Sequence, residues 1–198
     1  MKKIYFFTVS IFFLSASLFA QDYKWSVEAN YPIPSGEVYG NDPSGIIDFG
    51  VKYRFLDFKI VEIGVGANTG VFDKNLRDEF NDLEYYYDET NWSIQPKVFA
   101  EFTIPGMQKL HPGIGLGYTF IKTKYESGMN GEPTGGNKTS GGLTLNVGLS
   151  YDITKRLFLQ AQYDFINDKD TVDDAANNIT IGSGQNRGYL KVGVGFRF

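Results

Sequence analysis

Apolar and polar residues alternate with a period of two in eight segments of the chain, each of about ten residues and each bounded by turn residues. In the first, Trp25, Val27, Ala29 and Tyr31 share one face, and Ser26, Glu28 and Asn30 the other. The second sets Ile47, Phe49, Val51, Tyr53 and Phe55 against Asp48, Gly50, Lys52 and Arg54. The third, from Val61 to Val71, opposes Ile63, Val65, Ala67 and Thr69 to Glu62, Gly64, Gly66 and Asn68. The fourth opposes Trp92, Ile94, Val98, Ala100 and Phe102 to Ser93, Gln95, Lys97 and Glu101. Pro96 is its one misfit, and because proline removes a ladder donor a bulge is expected there. The fifth alternates Pro112, Ile114, Leu116, Tyr118 and Phe120 with His111, three glycines and Thr119. The sixth opposes Leu143, Leu145, Val147, Leu149 and Tyr151 to Thr144, Asn146, Gly148, Ser150 and Asp152. The last two carry Leu157, Leu159, Ala161, Tyr163 and Phe165 against Phe158, Gln160, Gln162 and Asp164, then Leu190, Val192, Val194, Phe196 and Phe198 against Tyr189, Lys191, Gly193, Gly195 and Arg197.

Connections between these segments alternate in length. Residues 56–60, 103–109 and 153–156 are short, whereas 32–45, 72–91, 125–142 and 166–187 are long and rich in Gly, Asn and Asp. Threading the segments up and down brings Tyr31, Trp92, Phe120 and Phe165 to one rim, and Trp25, Phe55, Phe102, Tyr151 and Phe198 to the other. Two aromatic rings at headgroup level, short turns at one end and long loops at the other are features of an outer-membrane barrel. The fold predicted is all-β: a transmembrane antiparallel up-and-down β-barrel of eight strands. A soluble sandwich or lipocalin-like barrel shares the alternation but predicts neither rings nor alternating loop lengths.

Lys2 and Lys3 precede an apolar run from Ile4 to Leu14 and then small residues, the layout of a secretory signal peptide. Residues 1–20 are read as that signal, with cleavage after Ala20, or after Ser17 as a fallback, leaving 21–198 as the barrel domain. The mature 178 residues carry 17 Lys and Arg against 23 Asp and Glu, a formal charge of −6, without the basic footprint of a nucleic-acid partner. There is no Cys, which excludes disulfides, thiolate metal sites and a lipid-modified N-terminal Cys. Aromatics make up 16% of the chain, yet its mean hydropathy is −0.25, as expected where only alternate residues meet lipid.

The final stretch Gly188–Phe198, apolar at every second position and ending on Phe, resembles the C-terminal signal read by the outer-membrane assembly machinery. Gln95–Phe102 and Leu110–Tyr118 carry a further likeness, and the mature chain is similar to the porin-family outer-membrane β-barrel domain, relatives of the small OmpA and OmpX type. The resemblance implies assembly through Leu190, Val192, Val194, Phe196 and Phe198. It also implies a monomer in lipid and lipopolysaccharide of the outer membrane of a diderm bacterium, with no catalytic motif to carry over.

Candidate chemistry is sparse. Gly64-Val65-Gly66-Ala67-Asn68-Thr69-Gly70 departs from a phosphate-cradling loop by one residue and lacks the βαβ setting such a loop needs. His111, the only His, is expected between Glu101 and the Ser150–Asp152 pair, where a hydrolytic constellation competes with a polar plug. Asp168, Asp170, Asp173 and Asp174 lack the Gly and Glu of a dedicated calcium loop. No catalytic residue, cofactor or metal ligand is assigned. Segment 72–91 holds seven acids, Asp73, Asp78, Glu79, Asp82, Glu84, Asp88 and Glu89, against Lys74 and Arg77, with Tyr85, Tyr86 and Tyr87 among them. Tyr-rich polar surface suits an extracellular protein partner; the competing and more ordinary reading is a solvated loop whose tyrosines extend the aromatic ring. Inward, the register sends Glu28, Asp48, Glu62, Glu101, Asp152 and Asp164 against Lys52, Arg54, Lys97, Lys191 and Arg197, a near-balanced set suited to an ion-pair network that closes the lumen. The expected function is therefore non-enzymatic, structural or loop-mediated binding and adhesion. A narrow channel for small solutes and a lipid-modifying enzyme are the alternatives.

Overall fold

A computed structural model of the chain describes residues 23–35, 43–80, 83–129, 132–174 and 179–198. The side chains of 78–80, 83–84, 129, 132, 169–174 and 179–185 lie outside that description, as do residues 1–20, the segment read from the sequence as a signal peptide. The strands are β1 (Trp25–Pro34), β2 (Ser44–Asp57), β3 (Val61–Phe80), β4 (Leu83–Phe102), β5 (Leu110–Met129), β6 (Glu132–Asp152), β7 (Leu157–Asp174) and β8 (Ile179–Arg197). Each pairs antiparallel with the next, and β1 closes on β8 from Ser26↔Arg197 to Pro34↔Tyr189. The ring is sealed at its base by reciprocal backbone bonds between Trp25 and Phe198, 3.3 and 2.9 Å long.

Period-two alternation becomes an inside and an outside. Phe49, Val51, Phe55, Ile94, Val98, Leu116, Leu145, Val147, Leu159 and Val194 are exposed on the outer surface. Their neighbours Asp48, Lys52, Arg54, Gln95, Lys97, Asn146, Gln160 and Asp164 are buried in the lumen. This inversion of the soluble rule, with large apolar side chains out and charges in, is what a lipid solvent selects.

Two expectations need correction. Three of the stretches read as long loops are largely strand: β3 and β4 stay paired to Phe80↔Leu83, β5 and β6 to Met129↔Glu132, and β7 and β8 to Asp174↔Ile179. Outside the bilayer both faces of such a hairpin meet water, so its ladder persists on backbone hydrogen bonds without an alternating apolar face. Nor is there a bulge at Pro96. β3–β4 runs through Ala67↔Pro96 in unbroken register. In β4–β5 the pairs Ile94↔Phe120 and Lys97↔Gly117 keep one register across the missing donor. The register shifts fall on β2 instead, at Gly45/Ile47 and Arg54/Leu56.

Val147 is exposed on the lipid face, and on its neighbour Asn146 the side-chain amide donates to Asp164 Oδ1 at 2.6 Å. Val147→Arg is expected to destabilise the barrel by about 2–4 kcal/mol at mid-bilayer depth. Asn146→Leu is expected to cost about 1.5–3 kcal/mol by stripping a charged acceptor of its donor. Urea unfolding from vesicles measures both, and tolerance of Arg at 147 together with Leu at 146 would reverse the two faces.

Candidate functional site

The lumen is filled in three tiers. At the level of the outer aromatic ring, Phe72, Ile166 and Tyr189 form an apolar cluster, with the Phe72 and Tyr189 ring centroids 4.7 Å apart and Ile121 buried beside them. Phe72 and Ile166 lay in segments read as loops. The sequence carried no signal for this lid beyond an isolated apolar residue past each expected strand end.

Beneath the lid sits Lys191, whose Nζ lies 2.8 Å from both Asp48 and Asp164. Asn30 and Asn68 also donate to Asp48, at 2.9 and 2.7 Å, while Gln95 and Gln162 donate to Asp164 at 3.2 and 2.5 Å. The next tier joins Lys52 to Glu28 at 2.6 Å and to Glu101 at 3.1 Å, and Arg54 to Glu101 at 2.6 Å and Glu62 at 3.2 Å. Phe99 lies under both cations, 5.4 Å from the Lys52 ammonium and 5.8 Å from the Arg54 guanidinium. Its ring occupies the space a Cβ at the cross-strand Gly64 would need, so that glycine makes room for an aromatic rather than for a long charged chain. Gly195 does the same for Phe158, over which Arg197 stacks at 4.4 Å. Phe99, inward among polar neighbours, was missed from the sequence, and only its register opposite Gly64 explains it.

At the periplasmic mouth His111 Nε2 lies 3.1 Å from Asp152, which also pairs with Arg197, and His111 Nδ1 lies 3.4 Å from Thr103 Oγ1. Ser150 does not join them. Its hydroxyl donates to the backbone carbonyl of His111 at 3.5 Å, and Glu101 is taken up by Lys52 and Arg54. The convergence of Ser150, His111 and a carboxylate is therefore not formed: Asp152 and Arg197 lie on one side of the imidazole, and the hydroxyl on its other nitrogen is that of Thr103.

All six inward acids thus have a cationic partner, and of the five bases Lys97 alone has no carboxylate in salt-bridge reach among the described residues, donating instead to the amide oxygen Gln162 Oε1 at 3.3 Å. This departs from strict one-to-one pairing. Beside Lys97 is a void lined by Asn146, Gly148, Gln160 and Gln162 with room for about two waters. The side-chain oxygen of Asn146, which lines this void, has no hydrogen-bond donor against it among the described residues.

Outside the bilayer the predicted acidic segment is structured. On the outward face of the β3–β4 hairpin, Arg77 forks onto both oxygens of Asp88 at 2.8 Å and stacks over Tyr86 at 5.3 Å. Those hydrogen bonds hold the Asp88 carboxyl below the usual carboxylate range. On the inward face the Tyr87 hydroxyl donates to Glu89 at 2.7 Å, and burial pushes the phenol pKa up. Tyr85 stays exposed. Asp168 pairs with Arg187 at 3.2 Å and accepts from Ser140 at 3.0 Å. The side chains of Asp78, Glu79, Asp82, Glu84, Asp170, Asp173 and Asp174 lie outside the described residues.

Lys191 is shared by two buried carboxylates, Asp48 and Asp164. Lys191→Met is expected to destabilise the barrel by about 3–5 kcal/mol, because removing one partner leaves the others charged and dry. Adding Asp48→Asn and Asp164→Asn to that variant should recover most of the loss in urea unfolding. A single-variant cost below about 1 kcal/mol, the range of an exposed pair, would place the cluster in water.

A comparison with curated proteins finds no match. Solved structures similar in fold include Ail, the attachment invasion locus protein of Yersinia pestis, in complex with the heparin analogue sucrose octasulfate (16% identity, TM-score 0.53, 88% of this chain and 96% of that one). Neisserial surface protein A is another (16%, 0.52, 88% and 96%), as is a major outer membrane protein of Thermus thermophilus (16%, 0.53, 88% and 98%). At that identity the likeness concerns the fold, which these proteins share. Residues 6–198 match the model of the outer membrane protein beta-barrel domain, and with eight strands, a lipid-facing apolar exterior and a polar lumen this chain belongs to that outer-membrane family.

Proposed function

We propose that the chain is a non-enzymatic surface protein of the outer membrane that presents a protruding sheet to a protein partner outside the cell. The observation that carries this reading is where the ladders stop. β2–β3 pairing ends at Ser44↔Asp73 and β6–β7 pairing at Gly141↔Lys169. The β3–β4, β4–β5 and β5–β6 ladders all continue outward, to Phe80↔Leu83, Tyr85↔Met129 and Met129↔Glu132. Four strands therefore stand above the membrane as one sheet, with two edges that no strand covers among the described residues.

The edges are not equivalent. Along β3 the outer edge carries Lys74 and Arg77, charges of the kind that discourage strand addition. The β6 edge reads Pro133-Thr134-Gly135-Gly136-Asn137-Lys138-Thr139-Ser140, with one charge and no bulky apolar side chain. Unpaired backbone groups on such an edge bind an extended segment by adding it as a further strand. Exposed Leu76 and Tyr85 on the adjoining face supply apolar and aromatic contact area. In the lumen, the turning of the Ser150 hydroxyl to a backbone carbonyl instead of the His111 imidazole, and the packing of the three tiers, favour this reading over an enzyme or a channel.

Because Asn75 pairs with Asp88 and Lys124 with Asn137, replacing 76–87 and 125–136 each by an Asn-Gly turn removes the sheet without touching the barrel. An adhesion-deficient host displaying the full chain is expected to adhere to epithelial cells and to immobilised matrix protein above a vector control. The shortened chain, folded by heat-modifiable gel mobility, is expected to match the control. Undiminished adherence of the shortened chain would contradict the proposal.

A further inference from the structure

The periplasmic rim combines two features that water does not favour together. Its turns and the two described residues ahead of β1, at 23–24, 56–60, 103–109 and 153–156, hold Lys24, Lys59, Lys109, Lys155 and Arg156, with Asp57 the one acid within those four stretches. Among them Phe58, Ile60, Met107 and Ile153 are 56, 62, 59 and 46% exposed, as open as side chains on the lipid face, although they lie beyond the inner ring of Trp25, Phe55, Phe102 and Tyr151. Single exposed apolar residues are ordinary on a surface, but four large ones spread over three successive turns of one rim mark it as a site of interaction. The segments at the opposite end, 72–91, 125–142 and 166–187, carry the reverse balance in sequence, 13 Asp and Glu against 5 Lys and Arg.

The β2–β3 turn holds its cation at a cost. Phe58 N–H donates to the Val61 carbonyl at 2.9 Å, Ile60 N–H to the Phe58 carbonyl at 2.8 Å, and Lys59 N–H to Asp57 Oδ1 at 2.7 Å. This geometry puts Lys59 at φ 68°, in the left-handed region that glycine enters freely and a side-chain-bearing residue does not. The β4–β5 turn meets a similar demand with Gly106, at φ 86°. At position 59 the turn keeps a lysine between exposed Phe58 and Ile60, with Asp57 accepting the Lys59 N–H and Glu62, opposite Asp57, paired with Arg54.

We propose that this rim is a docking surface for the acidic phospholipid headgroups of the periplasmic leaflet. Phe58, Ile60, Met107 and Ile153 insert at the acyl boundary, and Lys59, Lys109, Lys155 and Arg156 engage the phosphates. Aromatic rings sit at headgroup level, so cations in the turns just beyond them stand at the depth of the phosphate layer. An anionic leaflet attracts each such cation, and the attraction fades within about a Debye length, which confines it to these turns. The barrel thereby gathers acidic lipid around one end and is held at a fixed depth by it.

The test measures lipid enrichment around the folded barrel. The full barrel, placed in nanodiscs of mixed phosphatidylcholine and phosphatidylglycerol and then released into detergent, is analysed for retained lipid by native mass spectrometry. Phosphatidylglycerol is expected above its bulk proportion. In K59Q/K109Q/K155Q/R156Q the enrichment is expected to fall by roughly fivefold or more, given the worth of each basic residue near an anionic surface. K59R/K109R/K155R should keep it, and the outer-rim control K122Q/K124Q should leave it unchanged. Lys59→Gly separates recognition from structure: it should raise the thermal midpoint by relieving the backbone while lowering enrichment. Undiminished enrichment in the fourfold variant, equal loss in the outer-rim control, or crosslinks from position 59 to a periplasmic protein rather than to lipid would each overturn the proposal.

Discussion

A ring of eight strands encloses an interior about as wide as the side chains that point into it. Because the exterior of that ring faces hydrocarbon, the polar half of every strand has nowhere else to go, and the charges it carries must be neutralised across the lumen by one another. Lys191 between Asp48 and Asp164, and Lys52 and Arg54 around Glu101, are the outcome: side chains from strands far apart in sequence meet on the barrel axis. The pairs occupy the middle of the lumen and at the same time tie β2 to β4, and β8 to β2 and β7, through the molecule. Burying charge is expensive, so this network specifies one register rather than merely adding stability.

The same constraint separates the two ends. Where the lumen gives way to water, neutralisation ceases to be compulsory and the strands can end or continue. On the periplasmic side they end at once, in turns tight enough to force Lys59 into a left-handed conformation. On the outer side β3 to β6 continue together, and the apolar lid of Phe72, Ile121, Ile166 and Tyr189 caps the polar tiers just where the protruding sheet begins. The lid lets the hairpins above it be built on water-facing chemistry without opening the lumen below.

Strand number, facing and the two aromatic rings were legible in the sequence because lipid on one side and a polar lumen on the other impose opposite preferences on adjacent residues. Trp25 to Tyr31 and Leu143 to Asp152 show this without interruption. The hairpin extensions were not legible, since Tyr87, Thr90, Lys124 and Asn137 sit where both faces are polar and the period carries no contrast. Proline at 96 suggested a bulge on the assumption that a missing donor displaces register, whereas an otherwise continuous ladder carries the register across the gap. At the mouth, counting inward residues brought Ser150 near His111 but could not reveal that the serine hydroxyl turns to a backbone carbonyl. The charged lumen residues were readable as a set, and their pairing was not, because partners such as Lys191 and Asp48 are 143 residues apart in the chain.

The central claim is that cross-lumen neutralisation fills the barrel and leaves no conducting path. Planar-bilayer recording of the purified, refolded protein tests it most directly. A network that packs the interior as described predicts a flat current trace at all applied voltages, with only detergent-like noise. Stable, reproducible single-channel steps would show a continuous aqueous path past Lys191 and Arg54 and would contradict the account.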